Sequence, residues 1–146
     1  MIITIGIIDR DQDSREQLIA IAEDAMPDPI VREKPDLLIG FAKESFDPAS
    51  IHPDECQLDI ILIDMEGQEP GSIRRIKIHY PQSQVIVISQ NINTATVLNA
   101  YRDGAANYVQ KSTARQFLHY AILSLLSAAS TDNYGRHPQH TKYPQN

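Results

Sequence analysis

The sequence predicts an α/β fold, a flavodoxin-like doubly wound five-stranded parallel sheet with about five helices, and three observations predict it. Runs of apolar, mostly β-branched residues at 2–8, 60–63 and 85–88 lack the polar alternation of half-exposed strands, so they read as strands covered on both faces. Between them lie segments whose apolar residues recur at helical spacing, so strand and helix alternate along the chain. The runs also stop on polar side chains, Asp9, Asp64 and Ser89. In an open parallel sheet the crevice beyond the carboxyl ends of the strands is where ligands bind.

The first strand ends on Asp9-Arg10-Asp11-Gln12-Asp13-Ser14. Asp13 or Ser14 can cap the helix that follows, in which Leu18, Ile21, Ala22 and Ala25 share a face up to Met26-Pro27. Pro27, Pro29 and Pro35 argue for an irregular connection over 27–35. Leu37-Leu38-Ile39-Gly40-Phe41-Ala42 then forms a second strand, with a helix over 35–45 as the alternative because the apolar run is brief. Asp47-Pro48 can open a short helix with proline at its first position, limited by Pro53.

The third strand, Asp59-Ile60-Ile61-Leu62-Ile63-Asp64, belongs in the middle of the sheet. After it comes a turn-rich acidic loop, Met65-Glu66-Gly67-Gln68-Glu69-Pro70-Gly71, and a short helix with Ile73, Ile76 and Ile78 facing inward. Val85-Ile86-Val87-Ile88 is the fourth strand, closed by Ser89-Gln90-Asn91. A helix over 94–102 buries Val97, Leu98 and Tyr101 and stops at Gly104. Tyr108-Val109-Gln110, short and more polar, suits a sheet edge and ends on Lys111. Thr113 can cap the last helix, whose Phe117, Leu118, Ala121, Ile122, Leu125 and Leu126 form a broad apolar stripe. Residues 1–129 are thus read as one domain, and 130–146, polar and rich in His, Asn, Gln and Pro, as a flexible C-terminal tail.

With 13 Lys and Arg against 19 Asp and Glu the formal charge is −6, so the attraction that drives binding to phosphate backbones is missing overall and no nucleic-acid partner is expected. No apolar run approaches the roughly 20 residues that span a bilayer, and Met1 leads straight into a strand without a basic leader segment. A cytoplasmic protein without membrane contact is expected. Cys56 is the only cysteine, which excludes an internal disulfide and a multi-cysteine metal site and leaves an ordinary small residue near a core strand. His52, His79, His119, His137 and His140 lack metal-ligand spacing apart from the last pair, and all five are expected at the surface.

On the predicted fold, Asp9, Asp64, Ser89 and Lys111 stand at the carboxyl ends of strands one, three, four and five and should converge. A carboxylate can attack phosphorus as a nucleophile while a second acid holds Mg²⁺ and a hydroxyl and an ammonium stabilise the oxygens of the transferring group. Taken singly each residue has a plainer role: Asp9 in a turn or cap, Lys111 as a solvated charge, Tyr108 as a half-buried edge aromatic. Their coincidence at strand ends points to a site.

With these residues in place, the chain resembles the receiver domain of bacterial two-component response regulators over about residues 2–128. The resemblance is carried by the strand-end spacing, the interval from Ser89 to Lys111, and the string Asp103-Gly104-Ala105-Ala106-Asn107-Tyr108-Val109-Gln110-Lys111. It implies that Asp64 is the phosphoacceptor, Asp9 an acidic-pocket residue, Lys111 the cation that contacts phosphate, and Ser89 and Tyr108 a switch pair whose hydroxyl and aromatic move together. It implies Mg²⁺ as cofactor, with Asp9, Asp64 and the backbone carbonyl of Glu66 as ligands.

Three departures qualify this. Arg10 stands where the family has a second metal-binding acid; a cation there repels Mg²⁺ and can pair with Asp64 instead, leaving Asp11 as a substitute ligand only if the loop shifts by one residue. Glu66-Gly67-Gln68 replaces the Met-Pro-Gly turn that usually follows the phosphoacceptor, in a shortened segment. Ser112 replaces a common proline after Lys111.

The resulting reading is a single-domain receiver-like signalling protein, not an enzyme beyond phosphorylation and dephosphorylation of its own Asp64. It acts through protein contacts, with Mg²⁺-dependent phosphorylation altered or absent. The alternative is a conventional receiver that accepts phosphoryl from a histidine kinase. A Mg²⁺-dependent phosphohydrolase of the haloacid dehalogenase kind also uses an aspartate after a buried strand, but Glu66 is followed by Gly67 and Gln68 rather than by the hydroxyl that chemistry needs. Expected partners are a histidine kinase, a phosphotransfer protein or another signalling protein, or a second copy. The contact is expected through the fourth helix, fifth strand and fifth helix and to include Tyr101, Tyr108, Phe117 and Leu125.

Overall fold

The structure, a computed structural model, describes residues 2–24, 36–50 and 57–135. Five strands, β1 (Ile2–Ile8), β2 (Asp36–Lys43), β3 (Ile60–Asp64), β4 (Gln84–Ser89) and β5 (Asn107–Gln110), form one sheet in the order β2-β1-β3-β4-β5. Every pairing is parallel. Among the described residues there are four α-helices: α1 (Gln12–Glu23), α2 (Ser72–His79), α3 (Thr94–Arg102) and α4 (Ala114–Gly135). Two 3₁₀ turns, Pro48–Ser50 and Lys111–Thr113, also lie among the described residues. The expected doubly wound sheet is present, and the segment opened by Asp47-Pro48 is a 3₁₀ turn in its described part; 51–56, with His52 and Cys56, lie outside the described residues. So do 25–35, with the connection 27–35, and 136–146, with His137 and His140.

The sheet divides the core into two layers because alternate side chains of a strand point to opposite faces. Ile3, Ile5 and Ile7 of β1 meet α1 and α4, whereas Ile61 and Ile63 of β3 and Val85 and Val87 of β4 meet α2. All five residues of β3 are buried, as befits the central strand. The register of β1 with β2 slips at Gly40: Ile5 faces Ile39 and Gly6 faces Phe41. This bulge turns Phe41 onto β1, where a Cβ on Gly6 would lie 2.7 Å from the ring's Cζ. Phe46 and Tyr80 extend the aromatic layer, with Phe41 and Tyr80 centroids 6.4 Å apart and Phe46 and Tyr80 centroids 6.1 Å apart. Phe41, Leu58 and Tyr80 are all buried there.

Several local expectations are corrected. Asp11 caps α1, its side chain accepting the Ser14 N–H, and Asp13 and Ser14 lie inside the helix. Ile78 is exposed, because α2 turns Ile73 and Ile76 inward and a residue two beyond Ile76 points away from that face. Leu98 and Tyr101 are exposed as well: the sheet takes the neighbouring stripe of half-buried Val97 and buried Ala100. His119 is buried rather than at the surface, and its Nε2 has no hydrogen-bond partner. It follows Leu118 on the inward side of α4, one turn beyond Arg115, which reaches Asp24 at the end of α1 at 3.7 Å. His79 is exposed. Finally, α4 is described over Ala114–Gly135, past Ser130, since extending an existing helix fixes one residue per added hydrogen bond.

Candidate functional site

At three strand ends the polar side chain bends its own loop by accepting the N–H two residues on, the turn geometry that Asp, Asn and Ser favour. Asp9 Oδ1 accepts from Asp11 N at 3.0 Å, Asp64 Oδ1 from Glu66 N at 2.9 Å, and Ser89 Oγ from Asn91 N at 3.0 Å. The loops fold back over the sheet's end and leave the side chains in the crevice. Asp9 is 1% exposed and Asp64 3%, so these are buried carboxylates that need partners.

The partners come from the chain. Asp9 Oδ2 accepts the Ser14 hydroxyl. Lys111, whose side chain is 18% exposed, donates to Asp64 Oδ2 and lies 3.5 Å from Asp9 Oδ2. Burial alone would lower the pKa of this ammonium; hydrogen bonding and charge from Asp64, and then from Asp9, outweigh burial and raise it above the ordinary lysine value of 10.5. Asp64, Asp9 and Lys111 therefore form an ion triad in which one ammonium serves two carboxylates.

Arg10 does not share in it. Its guanidinium pairs with Glu66, at 3.9 Å and between exposed side chains. The stem lies on Gly67, where a Cβ would stand 2.5 Å from Arg10 Nε and 2.6 Å from Cδ and Cζ. Gly67 has φ +78°, the left-handed backbone that favours glycine. Arg10, Asp11, Glu66 and Gln90 rim a cavity of about 270 Å³ that has Asp9, Asp64 and Lys111 on its walls. Asp11 reaches this cavity, though its Oδ2 is engaged in capping α1.

Ser89 is buried, and Tyr108 is half-buried against the α2 layer. The Tyr108 hydroxyl donates to the Asn91 carbonyl at 2.6 Å while the Asn91 N–H donates to Ser89 Oγ. Asn91 thus connects the two expected switch residues through its own peptide groups. Sequence reasoning names Asn91 only as a strand closure; the i, i+2 offset shared with Asp9–Asp11 and Asp64–Glu66 is the signal that could have singled it out.

The donor set does not fit Mg²⁺ as it stands. All four oxygens of Asp9 and Asp64 accept hydrogen bonds from the chain, and Lys111 bonds to both groups. Among the described residues no three His, Cys, Asp or Glu side chains gather into a metal-holding group.

Beside the site, β5 and α4 border an apolar cavity of about 420 Å³ lined by Tyr108, Phe117 and Tyr120 among others. Phe117 is 53% exposed, and Tyr120 and Tyr101 are exposed too. Leu125 instead packs against the core. Among the described residues no helix is long and apolar enough to cross a membrane.

No protein-family model and no curated protein matches the chain. Solved structures do. A response regulator from Thermotoga maritima superposes with TM-score 0.66 at 20% identity, covering 87% of this chain and 99% of that one. The isolated receiver domain of RcsB from Salmonella enterica serovar Typhimurium gives TM-score 0.71 at 17% identity, covering 86% and 89%. The signal receiver domain of an HD domain-containing protein from Pseudomonas fluorescens Pf-5 gives TM-score 0.67 at 16% identity, covering 90% and 99%. The five-stranded parallel sheet is thus the fold of response-regulator receiver domains.

Proposed function

We propose that the chain is a receiver-like signalling protein that acts through protein–protein contacts, and that its Asp64 pocket works with side-chain cations in place of Mg²⁺, so that Mg²⁺-dependent phosphorylation is altered or absent. The observation that carries this reading is the Lys111 ammonium shared by Asp64 and Asp9, with Arg10 standing where the resemblance calls for a second acid. Upstream, a histidine kinase or phosphotransfer protein fits the fold; downstream, the surface of α3, β5 and α4 with Tyr101, Tyr108 and Phe117 fits a signalling partner or a second copy. RcsB has been solved as dimers bound to DNA in a chain of which this one covers 62%. The formal charge of −6 on the present chain favours protein over DNA contact.

The contact of Lys111 with Asp64 is common to a second reading, the conventional phosphorylated receiver. A Mg²⁺ titration followed by amide NMR separates the two. The proposal expects the amides of Asp9, Asp11, Asp64 and Glu66 to stay in place at millimolar Mg²⁺; saturable shifts at these four would establish the conventional reading.

A further inference from the structure

We propose that Arg10 takes over the metal's part: with Lys111 it clamps a phosphoryl group, or an anion of the same shape and charge, on Asp64 in the absence of Mg²⁺. The inference rests on the reading of the Asp64 pocket just given and names how that pocket works.

Four observations lead to it. Arg10, Lys111 and Asp64 line one cavity, which the two cations enter from the β1–α1 and β5–α4 loops. The Arg10 stem has a built seat on Gly67, in the very loop that follows Asp64. A side chain at Gly67 would displace it, so the loop's shape and the position of Arg10 are linked. The guanidinium's ion pair with Glu66 is long and solvent-exposed, a kind of pair that holds weakly and can be exchanged for a better one. Last, the charges do not balance for a phosphoryl group: Lys111 already serves two carboxylates, and turning the Asp64 carboxylate into an acyl phosphate replaces about one negative charge by about two, spread over the phosphoryl oxygens. A planar guanidinium that can bond two phosphoryl oxygens at once is the side chain suited to the remainder.

The transfer needs no further reactant. With acetyl phosphate as donor, an Asp64 carboxylate oxygen forms the new bond to phosphorus, the bond from phosphorus to the acetyl oxygen breaks, and acetate leaves with that electron pair. No proton and no redox equivalent is exchanged. Arg10 turns from Glu66 to the arriving group, which frees the Glu66-Gly67 loop.

The test uses the full chain and beryllofluoride, a phosphoryl mimic, followed by ¹⁹F NMR in EDTA and again in Mg²⁺, with acetyl phosphate labelling read by intact mass as a second measure. The wild type is expected to form the adduct in EDTA, Asp64→Asn to abolish it, Arg10→Gln to weaken it by about tenfold or more, and Arg10→Lys to fall between because a point charge lacks the bidentate fork. Amide NMR spectra of the Arg10 variants show whether they remain folded. An adduct that forms only with Mg²⁺ overturns both this inference and the proposed function. A metal-free adduct of equal strength in Arg10→Gln overturns the role of Arg10 and leaves the Mg²⁺-independent reading in place. No adduct under either condition overturns the inference alone, leaving a domain that signals without phosphorylation.

Discussion

Asp9 and Asp64 show how two buried carboxyl groups find partners in the residues next to them: each turns one oxygen to a local N–H and the other to a side-chain donor. The shared Lys111 makes the arrangement sensitive to alkali. Its pKa is raised in the folded chain, so its contribution to stability is complete below the unfolded lysine value of about 10.5 and is lost as pH rises through the folded value. Urea midpoints measured from pH 9 to 12 should therefore fall faster for the wild type than for Lys111→Met. At neutral pH that variant leaves two buried carboxylates without their cation and should lose roughly 3 kcal/mol; an unchanged midpoint would show that the triad contributes nothing to stability. Arg10→Asp replaces a repelling cation by a third oxygen donor, and calorimetry should find Mg²⁺ binding strengthened by about 1 kcal/mol or more. Equal affinity in the two proteins would remove Arg10 from the account of metal exclusion. Asp9 and Asp64 are legible in the sequence because apolar runs end on them, and Lys111 because it closes the short fifth strand. The placement of Arg10 is not, since a long side chain can reach Asp64 or Glu66, and the structure pairs it with Glu66.

Among the elements, β2 shows what a brief apolar run conceals. Its residues fit a strand or a helix, and what settles the matter is a partner distant in sequence, Gly6, whose missing side chain admits the Phe41 ring next to a bulge at Gly40. Gly6→Ala should overpack this contact and cost about 1–3 kcal/mol, while Phe41→Leu, harmful by itself, should recover part of the loss in the Gly6→Ala background. Strict additivity in the double-mutant cycle would mean that the two sites do not pack as described. The helices fail to be legible for a different reason. On α3 two apolar stripes lie one residue apart, and periodicity cannot say that the sheet takes Val97 and Ala100 while Leu98 and Tyr101 face outward. His119 is hidden in the same way: its side chain is polar, yet its place beside Leu118 puts it inside.

For the whole molecule, the sheet brings the pocket and the outer face of α3, β5 and α4 to opposite ends of a short path. Tyr108 stands on that path, its ring against the α2 layer and its hydroxyl on the Asn91 peptide whose N–H holds Ser89. The face beyond it is apolar and open at Tyr101, Phe117 and Tyr120. Exposed aromatic surface that borders a cavity is the kind of patch that marks contact with another protein. Leu125, expected to belong to this face, packs on the core instead, and the difference gives a test with a built-in control. Phe117→Glu should leave the thermal midpoint nearly unchanged and abolish self-association, or binding of a signalling partner, measured by sedimentation. Leu125→Glu should lower the midpoint by several degrees, because it places a charge against buried Ile and Leu side chains. If Phe117→Glu unfolds the protein, the aromatic is part of the core. If it folds and associates as the wild type does, the contact surface lies away from α4, most plainly on α1, whose capped end borders the pocket through Asp11.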